Sequence, residues 1–254
     1  MKYSKNIVFV FFLFISIFCY SQKTDIDSLS SKKQLKFNYK QLIISTILIS
    51  YGFIGIESDD LKLFNNEIKE EVKEHIDEKL TIDDFAQYLP ITTALGLDLI
   101  GVKGKNKIKD KAIIAATAIL ITGITVTGIK RISHVERPYG SSFDSFPSGH
   151  TANAFMGAEL LYQEYKDVSL WYGISGYLVA SGTGAFRIYN NRHWFTDIVA
   201  GAGIGVLSTK AAYWLYPSIN KLFTKKNRKE TNKKTVFIPY FDGKTTGFGL
   251  VSTF

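Results

Sequence analysis

Two histidines, one aspartate and a set of cations stand where they could act on a phosphate group. The stretch PSGH, residues 147–150, comes just before an apolar run. It places Gly149 and His150 in the first turn of a helix. Unpaired backbone N–H groups and the positive end of the helix dipole make an anion site there. His193 and Asp197 are four residues apart, a spacing that puts both on one helical face. A carboxylate so close fixes the imidazole tautomer and stabilises its positive charge, leaving the other ring nitrogen free to attack phosphorus. His150 is the remaining titratable group and can protonate the leaving oxygen. Lys130, Arg137 and Arg187 add fixed positive charge, and the arginine fork suits phosphate oxygens. A phosphate pocket with a nucleophile and an acid implies a phosphomonoesterase.

The apolar segments must bring these residues together. Lys130 and Arg131 end the segment 112–129, and PSGH begins the next. Arg187 ends the one after that, and His193 begins the last. Helices joined by short connections run antiparallel, so all four places fall on one side of a bundle. Further apolar runs occupy 41–56 and 85–102, with Pro90 and Asp98 interrupting the second. Between them Leu61, Phe64, Ile68, Val72, Ile76 and Leu80 recur every three or four residues among charges, which predicts one amphipathic helix. His75 lies in that helix and reads as a surface residue. Glycines at 173, 176, 182 and 184, and at 201, 203 and 205, predict close helix packing. The expected fold is all-α: a six-helix membrane-type bundle, an extra amphipathic helix and a short C-terminal β-hairpin, with Asp242-Gly243 as its turn.

On these residues the chain resembles the type 2 phosphatidic acid phosphatase and vanadium haloperoxidase superfamily. Its first motif is a lysine, six residues, then Arg-Pro, matched by Lys130 and Arg137-Pro138. The second is Pro-Ser-Gly-His, matched by 147–150. The third is Ser-Arg, five residues, His, three residues, Asp, matched by Arg187, His193 and Asp197. One position departs, since Phe186 stands where the family usually has serine. The resemblance runs from Lys130 to about Tyr216.

It implies a reaction without metal or cofactor. His193 forms a phosphohistidine, Asp197 supports it and His150 protonates the leaving alcohol. Lys130, Arg137, Arg187, Ser148 and the Gly149 amide hold the phosphoryl oxygens. Arg131, His134, Glu136 and Arg192 read as flanking groups. Asp144 and Ser145 are expected to shape the leaving-group side.

Composition narrows the substrate. The 254 residues carry a formal net charge of +8, which favours anionic partners or reflects a positive-inside bias. The mean hydropathy of +0.03 is low for a chain of many membrane spans, yet the apolar runs are long for an ordinary soluble domain. Residues 1–21 read as a signal peptide: Lys2 and Lys5 precede an apolar 7–18, with cleavage expected before Gln22. Cys19, the sole cysteine, would be lost with it. The bundle is assigned to 22–220, and a basic linker with the hairpin to 221–254.

The expected substrate is a phosphorylated membrane lipid, with a membrane and no nucleic acid as partner and the oligomeric state left open. A soluble exported acid phosphatase is the second reading, and a vanadate-dependent haloperoxidase ranks below it. Lysine-rich 32–40, 103–111 and 221–234 fall on the side away from the site, so the positive-inside rule puts the site in the periplasm. A cleaved signal followed by three crossings would put it in the cytoplasm. Either the leader is retained as a span, or the bundle sits on or partly in the membrane. The site is expected to face the periplasm of the cell envelope.

Overall fold

The computed structural model describes residues 37–73, 81–140, 142–230, 234–241 and 246–253. The signal segment, His75 and the Asp242-Gly243 turn lie outside the described residues. A 3-10 turn, Tyr39–Gln41, leads into α1 (Ile43–Glu57) and α2 (Asp59–Lys73). Then come α3 (Ile82–Ala86), α4 (Leu89–Gly96), α5 (Ile108–Ser133), α6 (Gly149–Tyr165), α7 (Leu170–Tyr189) and α8 (Phe195–Glu230). Two strands, β1 (Lys234–Phe241) and β2 (Thr246–Thr253), pair antiparallel with Lys234 opposite Thr253 and Phe241 opposite Thr246.

The second apolar run departs from expectation. Residues 85–102 are not one kinked helix: they end α3, form α4 and continue into turns. Pro90 is the reason. It sits in the first turn of α4, where its missing N–H costs nothing, so it starts a helix. Asp98 has a partner that the sequence hides. Lys111, fully buried at the start of α5, donates to Asp98 Oδ2 at 2.5 Å, Tyr165 Oη at 2.7 Å and Ala94 O at 3.1 Å. This ties α4, α5 and α6 together at the end of the bundle away from PSGH. The last helix runs without a break across 220 and 221, where the sequence reading places a boundary.

Helix α6 is the centre of the bundle and packs against α8, α7, α4 and α5. Ala152, Ala154, Ala158 and Leu160 on it are fully buried. Its approach to α8 is set by two glycines. A Cβ on Gly201 would lie 2.6 Å from Ser148 O, and one on Gly205 would collide with the Ala152 carbonyl. Gly201→Val is expected to force α8 off α6 and destabilise the bundle by about 1–3 kcal/mol. Gly182 has open space at its Cβ, so Gly182→Ala should be neutral or stabilising. Thermal unfolding in detergent checks this: Tm should fall only for the first.

Helix α2 buries a polar residue deepest among its described positions. Asn65, 6% exposed, donates to Thr196 Oγ1 at 3.0 Å and accepts from Thr196 N at 3.3 Å. It thereby satisfies a free N–H in the first turn of α8.

Among the described residues, two segments are long and apolar enough to cross a membrane, Ile108–Ser133 and Phe195–Leu222. The first shows an outward apolar face, with Ile119, Leu120 and Ile124 exposed. Only 28% of its most apolar window is buried, against 61% for the second, which lies in the core.

Candidate active site

The end of α5, the start of α6, the end of α7 and the start of α8 meet, as antiparallel packing requires. The joints are explicit. Ser148 N donates to Asp197 O at 3.1 Å, which links the α6 start to α8. Lys130 Nζ donates to the Asp144 carbonyl and, at 3.3 Å, to Ser145 O, which links the α5 end to the loop before PSGH. Ser133 Oγ donates to Phe146 O at 3.0 Å. Helix α5 stops at His134, whose φ of 46° and ψ of 37° are the left-handed conformation of a helix end. His134 is exposed.

His193 is 3% exposed and Asp197 1%. Their Nδ1 and Oδ2 are 3.4 Å apart. Asp197 Oδ2 also accepts from Ser145 Oγ at 2.5 Å and Trp194 N at 2.9 Å. The carboxylate is thus held by three groups and holds the ring by one nitrogen, leaving Nε2 without a partner among the described residues. Burial pushes the His193 pKa down to about 4. Asp197 opposes that shift, while Lys130 and Arg187 reinforce it. The ring is therefore neutral near neutral pH, as a nucleophile must be.

The cations are partly engaged. Arg137 donates through Nε and Nη2 to the two Asp144 oxygens at 2.8 and 3.0 Å. This guanidinium and the Ser142 hydroxyl hold the Asp144 carboxyl well below the usual carboxylate range. Arg187 donates through Nη1 to Asp83 Oδ2 at 2.5 Å. Its Nε is buried and has no hydrogen-bond partner among the described residues. Ser148 is fully buried and shares a hydrogen bond with Thr151 Oγ1 at 2.9 Å. Gly149 opens α6, so its N–H belongs to the unpaired first turn. Phe186, in the position of the family serine, lies edge-on to Tyr189 at 6.3 Å between centroids.

His150 is partly exposed, and its Nε2 is 3.0 Å from Asp84 Oδ1. Burial and the Arg187 charge lower its pKa below 6.5, and Asp84 and Asp83 oppose this. Sequence reasoning missed both aspartates. It also missed Asn65, and it gave Ser145 to the leaving-group side, whereas the hydroxyl reaches Asp197. Asp83, Asp84 and His150 each offer a ligand atom within 4.8 Å of the others, a spacing that could take a metal ion. Arg187 already supplies positive charge there, 3.5 Å from Asp84 Oδ1 as well as on Asp83. Among the flanking residues, Arg192 lies over the Tyr139 ring at 5.3 Å, and the Glu136 carbonyl accepts from Trp194 Nε1 at 2.8 Å.

Residues 111–221 match the family model of the PAP2 superfamily. A lipid A 1-phosphatase from Porphyromonas gingivalis is 39% identical over 154 residues, 60% of this chain. That alignment spans 35% of the relative, about a third of its length. Two solved structures are also similar. The phosphatidylglycerolphosphate phosphatase of PAP2 type from Bacillus subtilis has 20% identity and a TM-score of 0.49, over 73% of this chain and 98% of that one. Aquifex aeolicus LpxE has 23% identity and a TM-score of 0.46, over 59% and 94%.

Proposed function

We propose that the chain is a metal-independent phosphatase that hydrolyses a phosphomonoester or diphosphate of a membrane lipid through a phosphohistidine. The observation that carries this reading is the buried His193, held by Asp197 through Nδ1, with Nε2 free of any partner among the described residues. In the first step Nε2 attacks phosphorus, the P–O bond to the lipid breaks, and His150 gives its proton to the departing oxygen. In the second, water attacks phosphorus, His150 takes the water proton, and the P–N bond breaks. Lys130, Arg137, Arg187, Ser148 and the Gly149 amide steady the phosphoryl oxygens. The unpartnered Nε of Arg187 is a donor ready for one of them. Arg137 contributes from beside Asp144 with its charge largely balanced.

A lipid fits the apolar exterior of α5, and the lipid A 1-phosphatase relative makes lipid A phosphates the first substrate to test. The lysines at 103, 105, 107 and 109 lie at the α5 end opposite the site, which supports a site facing the periplasm. The assay is phosphate release, with EDTA present, from lipid A, phosphatidic acid, a polyprenyl diphosphate and a soluble aryl phosphate. Release from a lipid supports the reading. Release from the aryl ester alone points to a broad-range acid phosphatase.

The pH profile follows from the two histidines. His193 must be neutral, so activity is kept down to about pH 4 and lost below it. His150 must be protonated, and its pKa is below 6.5, so activity falls as pH rises through that value. The kcat/KM of the free enzyme is expected to peak between about 4 and 6.5. A peak above neutrality would contradict the assignment of roles.

A further inference from the structure

His193 has a carboxylate partner, and so does the other histidine. The second carboxylate comes from α3, which precedes the matched segment 111–221. Asp84 Oδ1 is 3.0 Å from His150 Nε2, across 66 residues of sequence. Helix α3 is anchored for this. Asp83, 1% exposed, accepts from Arg187 Nη1 and, at 3.0 Å, from Asn190 Nδ2 just past the end of α7. Gln87, just past α3, accepts from Asn153 Nδ2 on α6 at 3.1 Å and donates to Asp84 O at 2.9 Å. Asp84 is thus fixed from both sides and faces the ring.

We propose that Asp84 is the positioning residue of His150, fixing its ring with Nε2–H toward the carboxylate and Nδ1 toward the leaving oxygen. This rests on the phosphatase reading. Protonated His150 then carries Nε2–H to Asp84 and Nδ1–H to the ester oxygen. As the P–O bond breaks, its electron pair stays on oxygen and takes the Nδ1 proton. Neutral His150 keeps Nε2–H on Asp84 and accepts the water proton at Nδ1 in the second step. The charged groups around the ring are Arg187, Asp84 and Asp83. Arg187 disfavours the imidazolium, and the two carboxylates favour it.

The test compares the full-length protein with Asp84→Asn and Asp84→Glu, in EDTA, on a lipid phosphomonoester and on 4-nitrophenyl phosphate. An alkoxide must be protonated as it leaves, whereas nitrophenolate leaves unaided. Asp84→Asn is expected to lower kcat/KM, which reads the leaving-group step, about ten-fold or more on the lipid and to change it little on the aryl ester. Asp84→Glu should recover part of the loss. Equal losses of kcat/KM on both substrates would overturn the proposal, since a residue that only props the site does not distinguish leaving groups. An activity that EDTA removes and a divalent ion restores would also overturn it, because Asp84 and His150 would then be ligands.

A second readout needs no turnover. Histidine 15N NMR titration, with His150 assigned from a His150→Gln variant, should show its pKa falling in Asp84→Asn. An unchanged pKa overturns the pairing. If the wild type cleaves neither substrate, the phosphatase reading fails and this titration still decides the Asp84–His150 pair.

Discussion

His193→Ala is expected to lower kcat for phosphate release by at least about 1,000-fold, with KM nearly unchanged. The change removes the attacking nitrogen and little of the phosphate grip, which lies on Lys130, Arg137, Arg187 and the start of α6. It should also spare the fold. Asp197 Oδ2 keeps Ser145 Oγ and Trp194 N when the ring is gone, so no buried carboxylate is orphaned. The ring fills a buried site, so a loss of packing on the order of 1–3 kcal/mol is expected beside the kinetic effect. Steady-state kinetics and thermal unfolding on one preparation separate the two. A variant that folds and keeps a tenth of the activity would mean that water attacks phosphorus directly.

His150→Gln carries the second large effect. Loss of the proton donor is expected to slow release from an alkyl phosphate by about 100- to 10,000-fold. The alkaline limb of the pH profile should vanish with it, because that limb reports the loss of the His150 proton. The kcat/KM for 4-nitrophenyl phosphate, which stops at departure of the nitrophenolate, should survive far better. Measuring both substrates across pH in wild type and variant tests all three statements. If the alkaline limb persists in His150→Gln, another group supplies the proton.

The arrangement of the candidate site was legible because its residues are concentrated at helix ends. His193 and Asp197 are separated by one helical turn, and PSGH opens a helix, so their geometry is local. The convergence of Lys130, His150, Arg187 and His193 needed only the antiparallel rule. Asp83 and Asp84 were invisible for the opposite reason. They look like ordinary acids in the first turn of a helix, and nothing local says that they reach Arg187 and His150. Their partners are 104 and 66 residues away.

Pro90 misled in the same way. Within an apolar run it reads as a kink, and only the packing of Ile91 and Ala94 against the core shows that it begins α4. Asp98 read as an interruption of the apolar run, since nothing local says that Lys111, in the lysine-rich 103–111, is its partner. Asn65 was hidden on a helix whose visible pattern is apolar, since its role depends on where α8 starts.

The central claim is a covalent bond between phosphorus and His193. The most direct measurement is rapid acid-free quenching of the wild type during turnover of a 32P-labelled lipid phosphate, followed by peptide mass spectrometry. The account predicts label on His193 that is stable to base, lost in acid and absent from His193→Ala. Turnover at full rate with no label on any histidine, or label on His150 instead, would contradict it.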